Sequence, residues 1–198
     1  MTVLILASAS TIRAQLLRQA GVEFDVVLAR IDENALRASL EAEGARPRDI
    51  ADALAEQKAM KVAGRNPQAL VLGCDQILDC EGRLHTKPAT PEDAIRQLRQ
   101  LRGRPHRLHT AAVLYSQAQP IWRHVSTPEL KMRDLSDNYI LDYVEANWSE
   151  IHHCVGCYQL EGIGIRLFER ISGDYHAILG LPLIELLTFL IRRGDIAG

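Results

Sequence analysis

The chain lacks a positive excess. Its 23 lysines and arginines stand against 25 aspartates and glutamates, a net charge of −2. No global field would therefore gather nucleic acid or an anionic membrane surface. Any anion it binds must be held by local groups. No stretch approaches the roughly 20 apolar residues of a membrane span; the run over 178–191 is broken by Pro182 and Glu185 and reads as a core helix. The apolar opening MTVLILASAS has no basic leader and is short for a signal core, so a buried strand and a cytoplasmic location are expected. Internal repeats and low-complexity tracts are absent. The first strand-to-helix turn, Ala7-Ser8-Ala9-Ser10-Thr11-Ile12-Arg13, contains no glycine, which excludes the Gly-rich dinucleotide fingerprint.

Cysteine is sparse: Cys74, Cys80, Cys154 and Cys157. A cytoplasmic chain keeps them as thiols. The Cys154-x-x-Cys157 spacing invites a zinc reading with the other two, although five residues separate Cys74 from Cys80. Buried thiols are the favoured reading, with a four-cysteine metal site or a redox pair as alternatives.

What is present suits a globular fold. With 198 residues and 47% hydrophobic content, a sizeable core can form in one domain or two small lobes. Strands are predicted over 3–7, 24–28, 69–73, 109–115, part of 121–133, and 167–171. Helices are predicted over 34–42, 47–63, 91–101, 183–191, from Ser10 to Gly21, and from Ser136 through Tyr143. Ser10, Thr90 and Ser136 are the expected N-caps, and Pro47 fits a first helical turn. Strands alternating with helices give an α/β class, and the short polar loop between 109–115 and 121–133 implies an antiparallel pair, hence a mixed sheet.

Four short stretches carry chemistry. Ser8, Ser10 and Arg13 sit at a strand-to-helix turn, where unpaired N–H groups and a partial positive charge suit phosphate; a plain serine cap with a solvated arginine is the alternative. Asp75, after the apolar run Val71-Leu72-Gly73-Cys74, could hold a divalent cation, act as general base toward water, or cap a turn. Lys87-Pro88 could bring a charge to phosphate oxygens or be an exposed lysine before a capped helix. Gln159-Leu160-Glu161-Gly162-Ile163-Gly164 offers glycines for close backbone approach and one carboxylate.

In order and spacing these pieces resemble the Maf family of nucleotide pyrophosphatases over nearly the whole chain. The matching segments are 4–10, Asp32-Glu33, Ala55-Glu56-Gln57-Lys58-Ala59, 72–76, Lys87-Pro88, His106 with Thr110, Glu161-Gly162-Ile163-Gly164 and Gly180-Leu181-Pro182-Leu183. Gly73-Cys74-Asp75-Gln76, His153-Cys154, Glu161-Gly162 and Leu167-Phe168-Glu169-Arg170 look like the subfamily acting on 7-methyl-GTP. The resemblance implies one domain over 1–198 with a mixed elongated sheet, flanking helices and two lobes around a central substrate cleft. It implies hydrolysis of a nucleoside triphosphate to the monophosphate and pyrophosphate with Mg²⁺ or Mn²⁺, and suggests a homodimer. By matching position, Asp75 would activate water, and Lys87 would assist while helping Ser8, Ser10, Arg13 and Lys58 hold the triphosphate. Glu33 would join Asp75 at the metal, and Ile12, Gln76 and Glu161 fall on the specificity positions.

Glu161 carries its own argument. A carboxylate only accepts hydrogen bonds. Guanine presents two adjacent donors, whereas uracil and thymine present one donor between acceptors, which suits the glutamine that pyrimidine-acting relatives carry there. A guanine-type substrate, 7-methylated or plain, is therefore favoured, with another triphosphate or a nucleotide-binding regulator lacking turnover as alternatives. The turn departs from the family pattern in two places. Thr11 replaces a proline and Ala14 follows Arg13 where an arginine pair is usual, so one phosphate or structural contact and some activity are expected to be missing. Ile12 replaces the tryptophan that would stack on a methylated, cationic base.

Overall fold

The computed structural model describes residues 3–198. In chain order the elements are β1 (Leu4–Leu6), α1 (Thr11–Gln19), β2 (Phe24–Val26), α2 (Glu33–Ala42), α3 (Pro47–Ala63), β3 (Leu70–Cys80) and β4 (Arg83–His85). Then come α4 (Pro91–Leu101), β5 (Pro105–Ser116), β6 (Gln119–Ser126), β7 (Glu129–Met132), α5 (Asp137–Ile151), a 3₁₀ turn (Ile163–Leu167), β8 (Phe168–Ser172), α6 (Tyr175–Ile178) and α7 (Leu183–Arg193). The strands form one eight-stranded mixed sheet ordered β2-β1-β3-β5-β7-β8, with β4 on β3 and β6 on β5. The chain thus has the expected mixed α/β architecture with flanking helices.

The chain divides into two compact units. The first holds the residues up to Gln76 with 110–126 and 174–198. In it β1 pairs in parallel with β2 and β3, and β5 pairs antiparallel with β6 from Thr110↔Ser126 to Ser116↔Gln119. Its core joins Leu4, Leu6, Leu17, Leu70, Leu72, Leu114, Leu181 and Leu186, all buried. Parallel strands covered by helices read as unbroken apolar runs, which is the form of 4–7 and 70–72.

The second unit holds 77–109 and 127–173. Here β4 returns antiparallel on the end of β3, β7 pairs with the start of β5, and β8 pairs with β7. Helices α4 and α5 pack on one another, with Leu98, Leu101 and Ile140 buried.

Three predicted elements change on inspection. The strand expected to end at Gly73 continues to Cys80, because Leu78, Asp79 and Cys80 pair with the returning β4. The stretch 121–133, expected to be strand over part of its length, divides between two strands, β6 and β7. Pro128 stands between them and has no N–H for a ladder. The helix starting after Ser136 runs past Tyr143 to Ile151, burying Val144 and Ile151 on its way.

Inside the second unit His106 is buried, its Nε2 sits 2.9 Å from the Tyr158 hydroxyl, and its ring lies against Phe168. Burial, helped by the nearby His85, pulls its pKa from 6.5 down to about 4. The unfolded chain therefore binds a proton that the folded chain refuses. Stability from this site is complete above about pH 6.5 and is lost as pH falls toward 4, by roughly 3 kcal/mol. Urea melts at pH 7 and pH 4.5 are expected to show that loss, and His106→Asn to flatten it. An unchanged slope in the variant would rule His106 out as its source.

Candidate active site

Ser10 caps α1: its side chain accepts from the Arg13 backbone N–H, and its own N–H donates to Ser8 Oγ. Arg13 occupies the first turn of that helix, yet it is a buried arginine, only 9% exposed. Its Nε donates to the Gly180 carbonyl at 2.7 Å, and its Nη1 to Ser8 Oγ and the Cys74 carbonyl at 3.0 Å each. Nη2 makes no hydrogen bond to a described residue. The fold fixes Nε and Nη1, leaving the Nη2 hydrogens as the donors that could meet an anion beside a helix N-terminus. The reading of Arg13 as a solvated surface arginine is thereby corrected.

Asp75 lies within β3 and is buried. Its Oδ1 accepts from Lys58 Nζ at 2.7 Å, and the same ammonium donates to Glu33 Oε2 at 2.9 Å. Lys58 itself is buried on α3, while Glu33 opens α2 and is exposed. Burial is the largest influence on Asp75 and raises its pKa above the ordinary 3.8; Lys58 and then Arg13 oppose it, and Glu33 adds to it. Two carboxylates thus converge on one cation, and the inner one has its proton affinity raised by desolvation. Groups poised in this way suit proton abstraction.

Gln76 and Ile12 are placed differently. The Gln76 Nε2 donates to Thr110 Oγ1 at 2.8 Å and to the carbonyls of Ala177 and Ile178 at 3.0 and 3.1 Å. Its amide hydrogens are thus committed to the fold. Ile12 is half-buried. Ala14 packs in the apolar cluster with Leu4 and Leu17. That departure is therefore a core contact in this chain.

The first unit therefore brings together Ser8, Ser10, Arg13, Glu33, Lys58 and Asp75, while Lys87 and Glu161 belong to the second unit. Both are exposed there. They share a neighbourhood, since both act on the half-buried Cys154 thiol. Burial raises that thiol's pKa, the Gln159 hydrogen bond lowers it, Glu161 raises it and Lys87 lowers it. Gly164 has the close approach anticipated for this loop, with a Cβ there falling 2.5 Å from the Gln159 carbonyl oxygen.

All four cysteines are free. Burial holds the Cys74 thiol up to about 11 and Cys157 up to about 12, so both stay protonated and unreactive near neutrality. No group of three or more His, Cys, Asp or Glu is arranged for a metal among the described residues. No helix among them is long and apolar enough to cross a membrane. Residue-by-residue reading did not single out Thr110, whose hydroxyl accepts from Gln76 and donates to the Ala177 carbonyl; the Gly180-Leu181-Pro182-Leu183 turn reads from sequence as a tight loop into the last helix, with no sign of its contact with Arg13.

Known proteins resemble this chain along its length. A family described as "Maf-like protein" matches residues 3–193. A nucleoside triphosphate pyrophosphatase of Ruegeria sp. is 54% identical over 98% of both chains. One from Caulobacter vibrioides is 46% identical over 98% of this chain and 97% of the relative. A 7-methyl-GTP pyrophosphatase of Brucella abortus is 46% identical over 98% of both.

Proposed function

Because the chain belongs to the Maf-like protein family, we propose that its substrate is a guanine-type nucleoside triphosphate, plain or 7-methylated. The chain is a nucleoside triphosphate pyrophosphatase, a hydrolase. Water attacks the α-phosphorus, a new P–O bond forms, the α–β anhydride breaks, and pyrophosphate leaves. The observation that carries the reading is the Glu33–Lys58–Asp75 chain in the same unit as Arg13.

Asp75 takes the proton of the attacking water, and its desolvated carboxylate has the raised affinity the task needs. Arg13 Nη2 and the Ser8–Ser10 turn hold phosphate oxygens, and Lys58 and Lys87 add charge. In a chain with net charge −2, such local groups must offset a triphosphate. Lys58 takes Asp75 Oδ1 and Glu33 Oε2, and the second oxygen of each carboxylate is a hard donor suited to a divalent cation completed by substrate oxygens. Asp75 and Glu33 would hold Mg²⁺ or Mn²⁺, which would neutralise phosphate charge.

Glu161 reads the base. Its exposed carboxylate offers only acceptors, matching the two adjacent donors of guanine. The similarity to a 7-methyl-GTP pyrophosphatase supports extending the reading to the methylated base. Aliphatic Ile12 provides no cation–π stacking to favour that form over plain GTP.

Pyrophosphate release from GTP, 7-methyl-GTP, UTP and dTTP with Mg²⁺ tests the reading. Guanine triphosphates are expected to lead, and UTP ahead of both would overturn it. Glu161→Gln is expected to cut the kcat/KM ratio of GTP to UTP by roughly tenfold or more, because an amide mispairs with one guanine donor. An unchanged ranking would remove Glu161 as the base reader.

A further inference from the structure

The turn between α6 and α7 hydrogen-bonds Arg13 through one acceptor. That atom is the Gly180 carbonyl oxygen, 2.7 Å from Nε. Gly180 has φ +106°, and a Cβ there would lie 3.1 Å from Nε and 3.4 Å from Nη2. Glycine is thus needed twice, for the dihedral and for the guanidinium packed against it.

The backbone of this turn pairs most of its own carbonyls: Leu179 N–H donates to Tyr175, Leu181 N–H to His176 and Gly180 N–H to Ala177. Two side chains from neighbouring strands add donors at Ala177 and Ile178. Thr110 Oγ1 donates to the Ala177 carbonyl at 2.8 Å, and Gln76 Nε2 donates to Ala177, Ile178 and Thr110 Oγ1 itself. Thr110 is completely buried. Its hydroxyl gives its one hydrogen to Ala177 and accepts from Gln76, which fixes the Gln76 amide with its nitrogen toward the turn. The path runs from Thr110 and Gln76 to the end of α6, through Gly180, to the Nε of Arg13 beside Nη2.

We propose that Thr110 is a positioning residue for the Arg13 guanidinium, acting through the Ala177 carbonyl and the turn that ends at Gly180. The proposal rests on Arg13 being a phosphate ligand. Thr110 touches no substrate. Losing its hydroxyl lets the α6–α7 turn shift, and Nη2 then points away from the anion.

The test uses the full chain and inorganic pyrophosphate, with binding measured by calorimetry and GTP hydrolysis measured alongside. Thr110→Val keeps the shape and removes the hydroxyl, and Ala177 retains its Gln76 donor, so the variant is expected to fold. It should weaken pyrophosphate binding and raise KM roughly three- to tenfold, with a smaller change in kcat. Thr110→Ser, which keeps the hydroxyl, should recover most of that affinity. In an Arg13→Ala background (or Arg13→Lys, if the alanine variant does not fold) Thr110→Val should have no further effect. An undiminished Thr110→Val effect in that background overturns the proposal, as does serine behaving like valine. Unchanged pyrophosphate binding in the Arg13 variant overturns the phosphate reading of Arg13 and the proposal with it.

Discussion

Asp75→Asn is expected to lower kcat by roughly two to four orders of magnitude while triphosphate binding changes by only a few-fold. The substitution keeps size and shape and removes only the ability to take a proton. In the native chain the Asp75 carboxylate is buried and its Oδ1 is 2.7 Å from Lys58 Nζ. Desolvation raises its proton affinity, so it is a stronger base than an exposed aspartate. The asparagine carbonyl can still accept from Lys58, so that lysine and the Glu33 partnership can stay in place. Single-turnover pyrophosphate release gives the chemical step, and nucleotide titration gives the affinity. Turnover within tenfold of the parent enzyme would remove Asp75 as the base. A loss seen in KM with kcat preserved would reassign it to binding.

Local signals were legible where the physics is local. Ser10, Thr90 and Ser136 each accept from a backbone N–H three residues on, as cap residues should. Helix α3 begins at Pro47 and ends at Ala63, the span its proline and apolar stripe suggest. The site was legible as a set of residue types, because a chain without positive excess has to concentrate its cations. Its internal arrangement was not. Nothing in the turn sequence tells that Arg13 is buried, since its three acceptors come from Ser8, Cys74 and Gly180, two of them distant in the chain. Nor does a lysine within α3 announce that it bridges Glu33 and Asp75. Helix α6 escaped notice because four residues carry no helical period. Its own backbone bonds are supplemented by the Asp174 cap and by the Thr110 and Gln76 side chains.

Gly73→Ala is expected to destabilise the first unit by roughly 2–4 kcal/mol and lower the melting temperature by about 5–15 °C. Gly73 lies in β3 where α3 crosses it. A Cβ there would collide with the Ala55 carbonyl oxygen and fall 2.7 Å from the Ala59 N and 2.9 Å from its Cβ. Those neighbours are mostly backbone, so no rotamer can move aside. The facing stripe of α3 is Ala51, Ala55 and Ala59, all fully buried, which lets helix and strand approach this closely. The same proximity serves the site. Lys58 precedes Ala59, and Asp75 is two residues beyond Gly73, so the close crossing brings their side chains into contact. Pushing α3 away should lengthen the Lys58–Asp75 pair and lower kcat even in the fraction that stays folded. Gly64→Ala is the control, because a Cβ at the end of α3 makes only an ordinary 3.5 Å contact with the Met60 carbonyl. A Gly73→Ala variant that melts like the parent would show that α3 and β3 are not bound so closely. One that melts early but keeps full kcat would separate the crossing from the catalytic lysine.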